Sequence, residues 1–152
     1  RAYAITSPFC GFQVKVPLPK LVAARLMTRV WPTFKEPTGL DPDVLSHSTF
    51  IVKQYADDPL NLKVARARWY TETKAAQKDL MERAGQIHAP FLFLVSGADE
   101  LADPRTAEEV YHQLGTNDRE FELLPKLKHE ALNEDGWEEL AGRIVDWYER
   151  FR

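Results

Sequence analysis

The run Phe91-Leu92-Phe93-Leu94-Val95, broken at once by Ser96-Gly97, constrains this chain more than any other feature. Five consecutive apolar residues leave no polar face for solvent. The run therefore suits a strand buried on both sides, as in a parallel sheet. Beyond it, Asp103-Pro104 pairs a helix cap with a proline at the first turn, where its missing N–H is not needed. Ala107, Val110, Tyr111 and Leu114 recur at helical spacing, and Gly115 closes that helix. Glu120 to Pro125 reads as a further strand. Asp135-Gly136-Trp137-Glu138 has capping-box spacing. It precedes a helix with an apolar stripe of Trp137, Leu140, Ala141, Ile144, Val145, Tyr148 and Phe151. Near the start, Ala2 to Ser7 is a short apolar run stopped by Pro8. Strand and helix in alternation predict an α/β fold of about three parallel strands with flanking helices.

Between the first strand and the second lies a long stretch of helix formers and prolines, about residues 9–87. Pro19 to Trp31 is a helix candidate carrying Leu21, Val22, Leu26, Met27 and Val30, with only Lys20, Arg25 and Arg29 charged. So few charges are compatible with a helix covered on both faces. Asp58-Pro59 reads as cap and first position of a helix running through Trp69 to Ala84. The expected division is a core strand at 1–8, a helical cap or lid insertion at 9–87, and the rest of the core at 88–152. Long insertions in α/β folds usually carry function. Phe12, Val14, Val16 and Leu18, with the apolar cap helix, either form a lid that admits lipid or pack on the sheet.

The 152 residues support one core. A net charge of −3 gives no basic footprint for nucleic acid. Cys10 is the single cysteine, which excludes an internal disulfide and any multi-cysteine metal site. No run of about 18 apolar residues marks a membrane-spanning helix. The sequence begins at Arg1, and Tyr3-Ala4-Ile5 already reads as mid-strand. That pattern is expected of a truncated or processed chain, so no targeting inference follows.

Two residues stand out chemically. Asp99 follows the second strand and His129 follows the third, and active sites of open parallel sheets form beyond such strand ends. A nucleophile's general base needs a carboxylate to fix its tautomer and to stabilise the imidazolium that forms. Asp103 is a second candidate acid, but the proline after it already gives it a capping task. Asp99 has no such task and is preferred.

Pro90-Phe-Leu-Phe-Leu-Val-Ser-Gly-Ala-Asp99-Glu-Leu-Ala-Asp103 resembles the acid segment of monoacylglycerol lipases and related lysophospholipases, serine hydrolases of the α/β-hydrolase superfamily. Lys128-His129-Glu130-Ala131-Leu132-Asn133-Glu134 resembles their histidine segment. Leu40 to Ser46 and Tyr55 to Leu60 resemble the cap region, and Ile5-Thr6-Ser7-Pro8 the strand after the nucleophile helix. The resemblance implies the C-terminal portion of such a hydrolase, with Asp99 as triad acid and His129 as general base. It implies a small lipid ester as substrate and no cofactor.

The family's Gly-x-Ser-x-Gly elbow is missing. Ser7, Ser46, Ser48 and Ser96 do not sit between such glycines. Ser7 is followed by Pro8, which has no N–H for an oxyanion hole, and reads as structural. Nucleophile and oxyanion donors are expected in a preceding segment, without which residues 1–152 should be inactive. His47, His88 and His112 show no ligand spacing for a metal, and Cys10 reads as a packed small residue. Other readings are an aspartate nucleophile, as in dehalogenases and epoxide hydrolases of this fold, a peptidase, or an inactive relative that binds lipid or a partner. Peripheral membrane contact through the cap is a further expectation.

Overall fold

A computed structural model describes residues 1–14 and 17–152, the side chain of Lys20 excepted; Val16 thus lies outside the described residues. In chain order the elements are β1 (Tyr3–Thr6), α1 (Leu18–Val30), β2 (Lys35–Pro37), α2 (Thr49–Asp57), β3 (Val64–Arg66), α3 (Ala67–Arg83), β4 (Phe91–Ser96), α4 (Pro104–Gln113), β5 (Arg119–Leu124) and α5 (Trp137–Glu149). Single 3-10 turns stand at Pro42–Val44, Ala84–Gln86 and Ala131–Asn133.

β4 is the middle strand of a parallel sheet with order β1-β4-β5. Phe91 lies opposite Tyr3 on one side and Arg119 on the other. Side chains alternate across a strand, so the apolar run divides between two cores. Phe93 and Val95 join Cys10, Ala84, Ala107, Val110 and Leu114 on the α4 face. Leu92 and Leu94 join Ala131, Leu140 and Trp147 on the α5 face. Each of the four β4 side chains, fully buried, contributes about 1.5–3 kcal/mol. This double burial is why the run contains no polar residue.

Asp103 caps α4 as expected, its Oδ1 accepting from the amide of Arg105 at 3.0 Å. The cap of α5 differs from the expected capping box. Gly136, at φ 82°, takes the cap position, and no side chain bonds the helix start. The left-handed backbone required there favours glycine, so Asp135 is displaced from the role. The buried stripe also turns: Leu140 and Trp147 are covered, whereas Trp137, Val145 and Tyr148 are exposed. Leu140, Ile144, Trp147 and Phe151 still obey helical spacing, on a face set by contact with the sheet.

The insertion departs more. Asp58 ends α2, a helix the sequence pattern did not announce, and its extended backbone is what a residue before proline prefers. Its Oδ1 accepts from the amide of Leu60 at 2.8 Å, making a turn rather than a helix start. Antiparallel pairing of β3 with β2 then holds Val64–Arg66 extended, so α3 begins only at Ala67. Pairing between distant segments overrides local propensity here.

α1 packs on α3 through its half-buried Leu21, Ala24 and Met27, with Thr28 Oγ1 3.2 Å from Thr71 Oγ1. Its other face, Leu18, Val22, Leu26 and Val30, is exposed. One partner helix thus covers one face of α1 and leaves the other open. Gln77 of α3 is buried and donates through Nε2 to the carbonyl of Phe9 at 3.0 Å, tying α3 to the start of the stretch that follows β1.

Candidate active site

The candidate acid, Asp99, is placed by the turn that ends β4. A Cβ on Gly97 would stand 2.7 Å from Cα of Pro125, so only glycine lets the turns after β4 and β5 lie this close. The Gly97 amide bonds the carbonyl of Leu124, and the Ala98 amide that of Leu127. Asp99 then turns inward and is 4% exposed. Its Oδ1 accepts from the amides of Leu101 at 2.8 Å and Ala102 at 2.9 Å. The segment after β1 steadies this loop from outside, with the Gln13 amide on Leu101 O and the Asp103 amide on Gly11 O.

With Oδ1 so occupied, Oδ2 faces His129 Nδ1 at 2.8 Å. The carboxylate accepts, so Nδ1 carries the ring proton and the lone pair of the neutral imidazole rests on Nε2. His129 is a quarter exposed. The bond to Asp99 holds its pKa above the ordinary imidazole value, against an opposing effect of burial, with the charges of Asp99 and Glu130 adding to the rise. A cleft of about 270 Å³ opens beside the ring, lined by Thr6, Ser7 and residues His129 to Asn133. A buried acid, an oriented imidazole and an adjoining cleft can relay a proton to or from a nucleophile.

The other sequence candidates sit elsewhere. Asp103 remains at its cap, paired with Arg105. Ser7 has φ 41°, a left-handed conformation that non-glycine residues avoid. Its hydroxyl donates to Ser96 Oγ at 2.8 Å, and both serines are buried. Burial pushes the Cys10 thiol up to about 11, so it stays protonated in the core. His88 Nδ1 meets Gly115 O, and His112 lies near Glu108 on α4.

Sequence reasoning missed the support of the His129 loop. Glu134, 4% exposed, accepts from the amides of His47 and Lys128, each at 3.0 Å, and contacts His47 Nδ1 at 2.9 Å. Burial raises its pKa, but these bonds outweigh it and leave the carboxyl below its ordinary value. His47 and Glu134 are 87 positions apart, so no local spacing could have signalled the pair.

Comparisons with known proteins agree with this architecture. The family model Hydrolase_4, described as serine aminopeptidase, S33, matches residues 1–136. A monoacylglycerol lipase from Paleococcus ferrophilus is 27% identical and superposes with a TM-score of 0.87, over 95% of this chain and 56% of that one. A soluble variant of monoglyceride lipase from Saccharomyces cerevisiae, 16% identical, shares the fold at a TM-score of 0.83, over 98% and 53%. Phospholipase YtpA of Bacillus subtilis (strain 168) is 23% identical over 148 residues, 95% of this chain and 57% of the relative. The chain thus spans little more than half the length of each of these relatives. With the family model matching most of its length, this chain belongs to the α/β-hydrolase family described as serine aminopeptidase, S33.

Proposed function

We propose that this chain is the acid-and-base portion of a serine hydrolase that cleaves carboxylic esters of lipids, of the monoacylglycerol or lysophospholipid type. The observation that carries the proposal is the 2.8 Å contact between His129 Nδ1 and Asp99 Oδ2, made beyond the ends of adjacent parallel strands. Residues 1–8 and 88–152 form the hydrolase core on this account, and residues 9–87 its cap. The nucleophilic serine and the oxyanion donors come from a segment preceding Arg1, because no Gly-x-Ser-x-Gly elbow occurs in these residues. In accord with that, β4 is the sole strand neighbour of β1 among the described residues.

In the proposed reaction, His129 serves as base and Asp99 as the acid behind it. The serine hydroxyl attacks the ester carbonyl while His129 Nε2 takes its proton. Asp99 stabilises the imidazolium, which then returns that proton to the leaving alcohol. Water, deprotonated by the same Nε2, cleaves the acyl-enzyme and frees the serine. Without the serine, residues 1–152 alone are inactive.

Lipid rather than soluble ester is favoured by the insertion. Leu18, Val22, Leu26 and Val30 form one exposed apolar row along α1, suited to a lipid surface. Among the described residues, no helix is long and apolar enough to cross a membrane. A peptide substrate is the second reading, favoured by the description of the family model.

The test is turnover by the full-length protein of a monoacylglycerol and of a peptide amide of comparable size. Ester cleavage should dominate and should vanish in His129→Ala. Preferred amide cleavage would establish the peptidase instead.

A further inference from the structure

We propose that Glu134 is a positioning residue that fastens the His129 loop to the Leu45–Ser48 segment of the insertion, so that the insertion sets the orientation of the general base. The inference rests on the hydrolase reading above and names what holds its base in place.

Both backbone neighbours of His129 are tied. Before it, the Lys128 amide donates to Glu134 Oε1 at 3.0 Å. After it, the Glu130 amide donates to the carbonyl of Leu45 at 2.9 Å. The insertion closes the clamp from its own side. The His47 amide donates to Glu134 Oε2 at 3.0 Å, and His47 Nδ1 lies 2.9 Å from Oε1. Ser46 Oγ donates to the carbonyl of Asn133 at 2.8 Å, inside the same loop. The Lys128 ammonium reaches back to the carbonyls of Asp43 and Ser46.

A loop without regular structure ordinarily wanders, and an imidazole carried on it loses alignment. Here a buried carboxylate with several donors fixes the loop from within. Charge matters as much as shape. A neutral amide at 134 keeps one acceptor oxygen and turns an N–H₂ toward groups that are themselves donors. Because the donors come from both the insertion and the His129 loop, displacing residues 45–48 must displace the ring. The insertion is therefore mechanically part of the active site, although none of its side chains bonds Asp99 or His129 among the contacts described.

The experiment uses the full-length protein and a soluble short-chain ester, with four variants: Glu134→Gln, His47→Ala, His47→Gln and His129→Ala. Glu134→Gln should lower kcat about 10- to 100-fold, the scale of a misplaced catalytic group, with KM little changed. It should also move the acidic limb of the pH–rate profile to lower pH, as the Asp99–His129 contact loosens. His47→Ala should lower kcat about 2- to 10-fold, one hydrogen bond's worth, and His47→Gln should restore it through its amide donor. A merely structural Glu134 would instead lower the melting temperature with kcat and pH profile unmoved. That result, or an unchanged kcat in His47→Ala should Glu134→Gln fail to fold, alongside an inactive His129→Ala, overturns the clamp alone. Parental turnover in His129→Ala overturns the hydrolase reading and the clamp with it.

Discussion

Gly97 and Pro125 lie so close that a Cβ at position 97 would meet Cα of Pro125 at 2.7 Å. This contact locks the turn that carries Asp99 against the turn that leads to His129. The clash would be with backbone, which cannot rotate away. Gly97→Ala should therefore part the two turns, lowering kcat of the full-length enzyme about 100-fold while the protein stays folded by circular dichroism. Parental kcat in that variant would show that the turn spacing does not matter to the chemistry.

On the proposed reading, Asp99 and Asp103 have separable tasks. Asp99→Asn should lower kcat on the order of 10⁴-fold, because an amide in place of the carboxylate no longer fixes the tautomer. The bond to Asp99 raises the His129 pKa, and a general base must be neutral to act. The acidic limb should thus stand above about 6.5 in the parent enzyme and fall in Asp99→Asn. The same shift favours the folded state below about 6.5, and that benefit is lost as pH rises through the raised value. Asp103→Ala should instead cost about 0.5–2 kcal/mol of stability as a lost helix cap and leave the pH profile in place. Equal effects of the two substitutions on kcat would contradict this division.

The core makes a sharper stability claim. Phe93 is 2% exposed, packed between Ala107 and Val110 of α4 and the ring of Phe121. Phe93→Ala should destabilise the protein by about 3–5 kcal/mol in a urea titration. A loss under about 1 kcal/mol would mean that the site collapses freely, which close packing forbids.

The exposed row on α1 should matter only at an interface. Leu26→Glu removes apolar surface already open to solvent, so melting should shift little. Turnover of a short soluble ester should be unchanged, and turnover of an ester presented in vesicles should drop several-fold. Equal loss on both substrates would assign the residue to the substrate path rather than to the lipid surface.

The sheet was legible because its signal is local. A doubly buried strand must be apolar throughout, and a cap followed by proline marks a helix start from adjacent residues alone. That Asp99 and His129 come into contact was legible for a related reason, since the ends of neighbouring parallel strands lie side by side at one edge of the sheet. What escaped depends on partners far along the chain. β2 and β3 are three residues each and acquire their extended form by pairing with one another. The face of α5 is set by the sheet it packs on, which is why Trp147 rather than Tyr148 is buried. Glu134 reads as one more acidic residue in a polar loop until His47 is folded against it.

The most direct measurement is the rate at which a fluorophosphonate labels the full-length protein, before and after His129→Ala. The probe reports only a serine whose proton is being removed. If His129 performs that removal with Asp99 behind it, the substitution should slow labelling by several orders of magnitude. Labelling at the parental rate would mean that the serine is activated by another group, and the pairing of Asp99 with His129 would have no part in catalysis.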